Sequence, residues 1–377
     1  MVNLYDKIKG CIAGSWAGSA MGAVVEGLSS EKIKEKYGIL DKFQPYSHYI
    51  EYTSWLRPEG TTEDGIERQK LIATAIIEKK DRISCLDLAE IWKRDLDPEK
   101  MIYKQEPYDR SLYFLLKSGM PAVELGRLSF FQNVVTMARS SHPLGLINAG
   151  DPQSAADDTF EVGKLYLPEN AFGLRWAALY NAAVASACRP DANILSVVET
   201  ALEFSEYRAE KSPLYKGINN VEKFSYDKIK TELTRALEFA EKSRGDPEYL
   251  KQKFKEVYYG GEYITYGLAT AAEIVSKAFA VFYLHKGNTK DAVITSVNFG
   301  RDTDCLAACT GGLCGALTGI DFIPHQWIEK LNDAVKQDPY TNSKRTIEET
   351  ADGIYNAFCS RYKKISDYIN LMKNYNL

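Results

Sequence analysis

Helical periodicity dominates this chain of 377 residues. Apolar residues recur at three- and four-residue spacing over residues 6 to 24, 62 to 79, 84 to 95, 170 to 188, 193 to 206, 222 to 243, 265 to 286 and 289 to 297. Further helices are expected after Asp304, Pro324 and Thr346, and Ser84 is the expected N-cap of the helix that follows it. The pattern predicts an all-α fold.

Alternation typical of a β-strand is confined to FEVGKLYL at residues 160 to 167, which we interpret as a candidate strand. No repeat of fixed period and no glycine- or proline-rich linker divides the chain, so we predict a single domain over residues 1 to 377. The polar, charge-dense region from 207 to 262 lies between more apolar blocks. We predict that it forms a peripheral helical hairpin.

Composition excludes several classes of function. The net charge of -4 and the pI of about 5.8 argue against a nucleic-acid partner, and no apolar run is long enough to span a membrane. The N-terminal stretch lacks the apolar segment of a secretory signal. The odd number of cysteines, seven, predicts reduced thiols in a cytoplasmic protein, and the spacing of Cys305, Cys309 and Cys314 fits no zinc pattern.

Two helical stretches, residues 13 to 22 and 307 to 316, are rich in glycine and alanine. Glycine in a helix costs about 1 kcal/mol relative to alanine, so close approach of two helix backbones or access for a ligand must compensate. A nucleotide-binding loop is excluded, because TGGLCG lies inside an apolar helix and has no lysine.

Two acidic clusters carry the candidate chemistry. Asp302 and Asp304 begin the glycine-rich helix, and TTEDG at residues 61 to 65 precedes another helix. Helix capping and the helix dipole explain TTEDG on their own, but they explain the two aspartates less well, because the following helix is almost wholly apolar and its first turn is expected to face a cavity. Clustered carboxylate and hydroxyl oxygens suit Mg²⁺, and four carboxylates at one site would repel each other without cations.

These motifs, with two others in the same chain order, resemble the ADP-ribosylglycohydrolase family, which includes the enzyme that reactivates ADP-ribosylated dinitrogenase reductase. GCIAGSWAGSAMGAVVEG (residues 10 to 27) is similar to the family's opening helix and its closing glutamate, here Glu26. TTEDG resembles the Thr-Asp-Asp-Thr metal motif, and HPLGLINAGDPQSAA (142 to 156) resembles the Pro-Ile-Gly-Leu…Gly-Asp-Pro segment. NFGRDTDC and the sequence up to residue 331 closely resemble the Asn-Leu-Gly-Gly-Asp-Thr-Asp-Thr block and the Ile-Pro-x-x-Trp that follows it.

The resemblance implies an orthogonal helical bundle with a two-metal cleft, in which residues 207 to 262 form an insertion. Two Mg²⁺ ions are expected, with Mn²⁺ as the alternative. The implied metal ligands are Thr62, Glu63, Asp64, Asp302 and Asp304. The implied catalytic groups are Glu26 and Glu63, and the implied substrate-binding residues are Asn133, His142, Asp151 and Arg301. Three of the four substrate-binding candidates also have a structural interpretation: a turn residue for Asn133, a core histidine for His142, and an ion pair with a metal-site acid for Arg301.

The sequence departs from the family pattern at four positions within these motifs. Glu63 is one methylene longer than aspartate, Gly65 and Cys305 replace threonines, and Ser19 replaces an aspartate. They leave open whether both metal positions are filled.

We therefore expect a magnesium-dependent hydrolase that cleaves a ribosyl N- or O-glycosidic bond in an ADP-ribosylated protein or a smaller ribosylated compound. Gln132 and Val134 replace the glycines beside Asn133, which tilts the expectation toward the smaller substrate. The alternative is a non-catalytic binding or structural protein that retains the fold, as crystallins do. If a lysine or arginine filled the space between Asp64 and Asp304, the enzymatic interpretation would fail and only the shared fold would remain.

Overall fold

The computed structural model describes residues 2 to 48, 55 to 208, 227 to 258 and 269 to 375. Within these ranges the chain is helical, and β-pairing is limited to three isolated bridges. The predicted all-α fold is confirmed. No helix within the described ranges has both the length and the hydropathy that crossing a membrane requires.

The helices of the described ranges vary from four to 26 residues in length. In chain order they are α1 (Leu4–Gly22), α2 (Ser30–Tyr37), α3 (Asp64–Lys79), α4 (Cys85–Asp95), α5 (Met101–Lys104), α6 (Pro107–Lys117), α7 (Ala122–Leu125), α8 (Thr136–Ser140), α9 (His142–Ile147), α10 (Pro152–Gly163), α11 (Phe172–Ala187), α12 (Ile194–Phe204), α13 (Asp227–Ser243), α14 (Pro247–Tyr258), α15 (Ala271–Leu284), α16 (Thr289–Val297), α17 (Thr303–Thr318), α18 (His325–Gln337) and α19 (Ile347–Met372). Short 3₁₀ turns follow α7 and α19.

Helices α1 and α17 pack antiparallel along their small residues, and this contact forms the centre of the fold. A Cβ built on Gly14 would lie 2.2 Å from the carbonyl oxygen of Gly311, and one built on Gly18 would lie 2.1 Å from that of Ala307. Any side chain at either glycine would force the helices apart. Close backbone approach therefore explains why these helices tolerate glycine.

The local predictions for α4 and for residues 160 to 167 have opposite outcomes. Ser84 caps α4 as predicted, and Asp87 returns the hydrogen bond to complete a capping box. The candidate strand at residues 160 to 167 is wrong, because α10 continues to Gly163. Ala156, Phe160 and Gly163 lie on one buried helical face, so the helical period rather than the alternation of this stretch is satisfied.

The region from 207 to 262 contains α13 and α14, joined by a short turn. They pack on each other and on α15 through buried residues such as Leu233, Ala236 and Phe254. Residues 209 to 226 and 259 to 268 lie outside the described ranges. That this region is an insertion in a single domain stays a prediction.

Backbone hydrogen bonds join the loop after α1 to the loop before α17, and they determine the position of Glu26. The Gly27 amide donates to the carbonyl of Arg301 at 2.8 Å, and the Arg301 amide donates to the carbonyl of Leu28 at 2.7 Å. Gly300 has a φ of +82°, and a Cβ there would lie 2.6 Å from the Ser30 nitrogen. Glu26 is thereby held beside the start of α17.

Candidate functional site

Five acids from three separate parts of the chain converge in the interior. Glu26 follows α1, Glu63 and Asp64 begin α3, and Asp302 and Asp304 begin α17. All are buried or nearly so, and the Glu26 side chain is 11% exposed. Such a concentration of buried carboxyl groups requires compensating positive charge.

Helix capping accounts for only part of this arrangement. Asp302 is the N-cap of α17 and accepts from the Cys305 amide at 3.3 Å. Glu63 occupies the N-cap position of α3, but its side chain makes no capping hydrogen bond. Its amide donates instead to the hydroxyl of Ser19 at 3.1 Å, and the carbonyl of the buried Thr62 accepts from Lys104 at 2.5 Å. TTEDG is therefore not explained by a capping threonine.

The two aspartates of α17 lie in buried surroundings that disfavour their ionised forms. Within the described part of the chain, Asp302 Oδ2 and Asp304 Oδ1 are buried and have no hydrogen-bond partner. Burial raises the pKa of both groups, and Asp302 raises that of Asp304 further. Burial, Asp304 and Asp302 also raise the pKa of Glu26 well above its usual value. Ligand atoms of Asp302, Asp304 and Cys305 lie within 4.8 Å of one another, so this group fits a cation.

The space between Asp64 and Asp304 is filled by the guanidinium of Arg139. Nη2 of Arg139 donates to Asp64 Oδ2 at 2.7 Å, and Nη1 lies 3.4 Å from Asp304 Oδ2 and 3.0 Å from Cys305 Sγ. An arginine from α8 therefore lies between two of the predicted metal ligands, and the role of Asp64 and Asp304 as ligands stays a prediction.

Asp64 is surrounded by positive charge. Arg68, one helical turn further along α3, approaches the same Oδ2 atom at 2.7 Å, and its Nε donates to Asp109 at 2.6 Å. Burial would raise the pKa of Asp64, but Arg139 and Arg68 outweigh burial and lower it to about 2. Asp64 is thus an ionised group with two cationic partners.

Glu63 is also paired with a cation. Nη1 of Arg57 donates to Glu63 Oε1 at 2.6 Å, and His48 Nε2 lies 3.3 Å from Oε2. Burial opposes ionisation, yet Arg57 and His48 lower the pKa of Glu63 below its usual value. His48 lies further from Glu26, at 3.9 Å. Of the two candidate catalytic acids, Glu63 is held as a carboxylate and Glu26 is the less constrained.

His142 lies inside the core. The Gln69 amide lies 3.0 Å from Nδ1, and the hydroxyl of Tyr180 lies 2.8 Å from Nε2. Burial lowers the pKa of His142 to about 3, so the ring is neutral. These contacts favour its structural interpretation over contact with substrate.

The other three candidate substrate-binding residues occupy varied positions. Asn133 is exposed, and its carbonyl accepts from the Ala271 amide at 2.8 Å. Asp151 caps α10 and lies 3.5 Å from Arg361. Arg301 donates to both oxygens of the buried Glu273, at 2.8 and 3.0 Å, so it pairs with an acid outside the predicted metal set. A role for these residues in substrate binding remains a prediction.

The basic residues of the site were missed in the sequence. Arg68 follows Asp64 at the four-residue spacing that favours ion pairs on helices, and this signal was available. Arg139 stands in the apolar stretch VVTMARS, where a buried arginine needs a carboxylate partner. Its partners lie 75 and 165 residues away, so spacing alone does not identify them.

Comparison with known proteins agrees with this architecture. The profile of the ADP-ribosylglycohydrolase family matches residues 1–364. An uncharacterized protein of Archaeoglobus fulgidus is 25% identical over 356 residues, which cover 93% of this chain and 97% of the relative. A solved structure described as an ADP-ribosylglycohydrolase-related protein complex superposes with a TM-score of 0.61 at 16% identity, covering 94% of this chain and 99% of that chain, and supports the fold.

A shorter match links the chain to proteins of named activity. The ADP-ribosylarginine hydrolase Tri1 of Serratia proteamaculans is 42% identical over 55 residues, which cover 15% of this chain and 14% of the relative. The corresponding protein of Pseudomonas putida is 38% identical over 47 residues, 12% of this chain and 13% of the relative. With the family profile covering nearly its whole length, this chain belongs to the ADP-ribosylglycohydrolase family.

Proposed function

We propose that this protein hydrolyses a ribosyl glycosidic bond in an ADP-ribosylated substrate with the help of a bound divalent cation, Mg²⁺ or Mn²⁺. Family membership supports the hydrolysis of ADP-ribose linkages. The presence of a cation is supported by one observation: Asp302 and Asp304 each have a buried carboxylate oxygen without a hydrogen-bond partner. Oxygen ligands of this kind are the ones that hard divalent cations prefer.

The fit of a cation differs between the two halves of the acid cluster. Near Asp302 and Asp304, three carboxyl groups including Glu26 share one guanidinium, so a divalent cation would balance excess negative charge. Near Asp64, Arg139 and Arg68 already supply that balance. We therefore place a cation at the start of α17, beside Asp302 and Asp304. When bound, the cation would supply a Lewis acid toward ribose hydroxyls and water.

The chain's own residues divide the remaining work. Glu26 is the group that we propose to exchange a proton with the leaving group or water, because it is not locked by a close ion pair as Glu63 is. Glu63 stays ionised through Arg57 and helps to stabilise positive charge that develops on the ribose at the transition state.

ADP-ribose attached to arginine is the first substrate to test. The short matches to ADP-ribosylarginine hydrolases support this choice. A smaller ribosylated compound is the second substrate to test, because Gln132 and Val134 replace the glycines that flank the matching asparagine in the family.

A second candidate function is binding without catalysis. Arg139 between Asp64 and Asp304 favours it, because an arginine neutralises acids without a metal ion. In this case the fold would be retained for recognition of a ribosylated ligand or for a structural role.

One assay separates the two candidates. The protein is incubated with ADP-ribosylarginine and with arginine-ADP-ribosylated protein, in Mg²⁺ or in EDTA, and released ADP-ribose is measured. We expect release in Mg²⁺, a loss of at least about 100-fold in Asp302→Asn, and no loss in Asp333→Asn, which changes an exposed aspartate. No release from any ribosylated compound would support the second candidate. Equal, measurable rates in Mg²⁺ and EDTA would keep the hydrolase and remove the cation from the proposal.

A further inference from the structure

The side chain of Arg139 lies between the two acidic motifs, next to Gly65 and Cys305, the two residues that replace threonines of the family pattern. Its side chain is 10% exposed and reaches from α8 to the first turns of both α3 and α17. It contacts Asp64, Asp304 and Cys305. A single cationic group therefore joins the two acidic motifs.

Gly65 makes room for this arginine. A Cβ built at position 65 would lie 2.9 Å from Cδ of Arg139 and 3.1 Å from its Nε. A side chain at position 65 would force the side chain of Arg139 to shift. Cys305, on the other side, offers its sulfur to Nη1 at 3.0 Å. Both positions where threonine was expected from the family pattern thus lie beside Arg139.

The charge of Arg139 is permanent, since a guanidinium does not deprotonate in proteins. Asp64 already has Arg139 and Arg68 at 2.7 Å. A divalent cation on the same carboxylate would meet two positive groups and lose the attraction that would bind it. The carboxylate oxygens without a hydrogen-bond partner, by contrast, are those of Asp302 and Asp304.

We infer that Arg139 replaces one ion of a two-ion centre, so that the site holds a single divalent cation with a guanidinium beside it. This inference rests on the proposed function and specifies its metal content. Arg139 is a positioning residue here: it holds the two acidic motifs together and denies Asp64 to a second ion.

Counting bound Mn²⁺ tests this directly and requires no substrate. The metal-free full chain is titrated with Mn²⁺, and bound ions are followed by equilibrium dialysis and electron paramagnetic resonance. Wild type is expected to bind one ion per chain with an uncoupled signal. Arg139→Ala is expected to bind two with a spin-coupled signal, because paired ions in such sites lie about 3.5–4 Å apart.

Further variants separate charge from folding. Arg139→Lys keeps a positive group and is expected to bind one ion. Gly65→Ala should displace the arginine without touching any ligand and should raise the stoichiometry above one. Arg127→Ala, which changes an exposed arginine paired with Glu124, is the matched control and should leave the stoichiometry at one. Near-UV circular dichroism confirms that each variant is folded.

The outcomes distinguish this inference from the proposed function. Two coupled Mn²⁺ ions in wild type would overturn the inference and leave the proposed hydrolase intact. One ion in a folded Arg139→Ala and in a folded Gly65→Ala would also overturn it. No bound Mn²⁺ in wild type would remove the cation from the proposed function itself, and the inference with it.

Discussion

Gly14 and Gly311 touch backbone to backbone: a Cβ on either glycine would lie 2.2 Å from the carbonyl oxygen of the other. This contact sets the distance between α1 and α17. It therefore also sets where Glu26, which follows α1, meets Asp302 and Asp304, which begin α17. The fold and the site depend on the same stripe of small residues.

Gly14→Ala should lower the free energy of unfolding by about 1–3 kcal/mol, because the added methyl group meets backbone that cannot move aside locally. Urea denaturation measures the change. Gly353→Ala is the matched control, since its Cβ would meet the side chain of Ile77, and a smaller loss is expected. Equal losses in the two variants would contradict the proposed rigidity of the α1–α17 contact.

Asp302→Asn should make the metal-free protein more stable and abolish its stabilisation by Mg²⁺. Burial raises the pKa of Asp302 and Asp304, so neutralising one relieves repulsion in the metal-free state. Wild type at a cation concentration of about 100 times Kd should gain about 2.7 kcal/mol. Thermal unfolding with and without Mg²⁺ measures both effects. A cation-induced shift that survives in Asp302→Asn would place the ion elsewhere.

Glu26→Gln should mainly reduce kcat, whereas Glu63→Gln should mainly reduce stability. Glu26→Gln should lower kcat by about 10²–10⁴, the range for loss of a general acid or base. Glu63→Gln leaves the buried Arg57 without its carboxylate and should lower stability by about 3–5 kcal/mol. Steady-state kinetics and urea unfolding on both variants make the comparison. A stable Glu63→Gln with the larger loss of kcat would reverse the two roles.

His142 should make wild type more sensitive to acid than His142→Gln. Burial lowers the pKa of His142 to about 3, so between that value and the ordinary histidine pKa of about 6.5 the unfolded state binds the extra proton. Stability from this group is full above pH 6.5 and falls as pH decreases, by up to about 1.4 kcal/mol per pH unit. Urea unfolding between pH 7 and 5 should show a steeper slope for wild type. Parallel slopes would show that His142 does not titrate in this way.

Much of the helical framework could be predicted from the sequence, because the spacing of apolar residues along a short stretch is enough to indicate a helix. Ser84 and the α4 helix are examples. The stretch around Phe160 misled, since a short run of apolar residues fits alternation and helical spacing alike, and burial of one helical face decided between them.

The acidic half of the site was also visible, because clustered carboxylates in apolar surroundings need an explanation. Arg139 was not. It is a lone arginine whose partners come from two distant helix starts, and only the folded chain brings them together. The sequence shows that Gly65 and Cys305 replace threonines, but only the folded chain shows that both changes fall beside Arg139, where Gly65 leaves space for its side chain and Cys305 accepts its hydrogen bond.

A crystal structure of wild type grown with Mn²⁺, with anomalous scattering collected at the manganese edge, tests the central claim most directly. The account predicts one anomalous peak at about 2.0–2.2 Å from oxygens of Asp302 and Asp304, with Arg139 still bonded to Asp64. Two peaks flanking a displaced Arg139, or no peak beside α17, would contradict it.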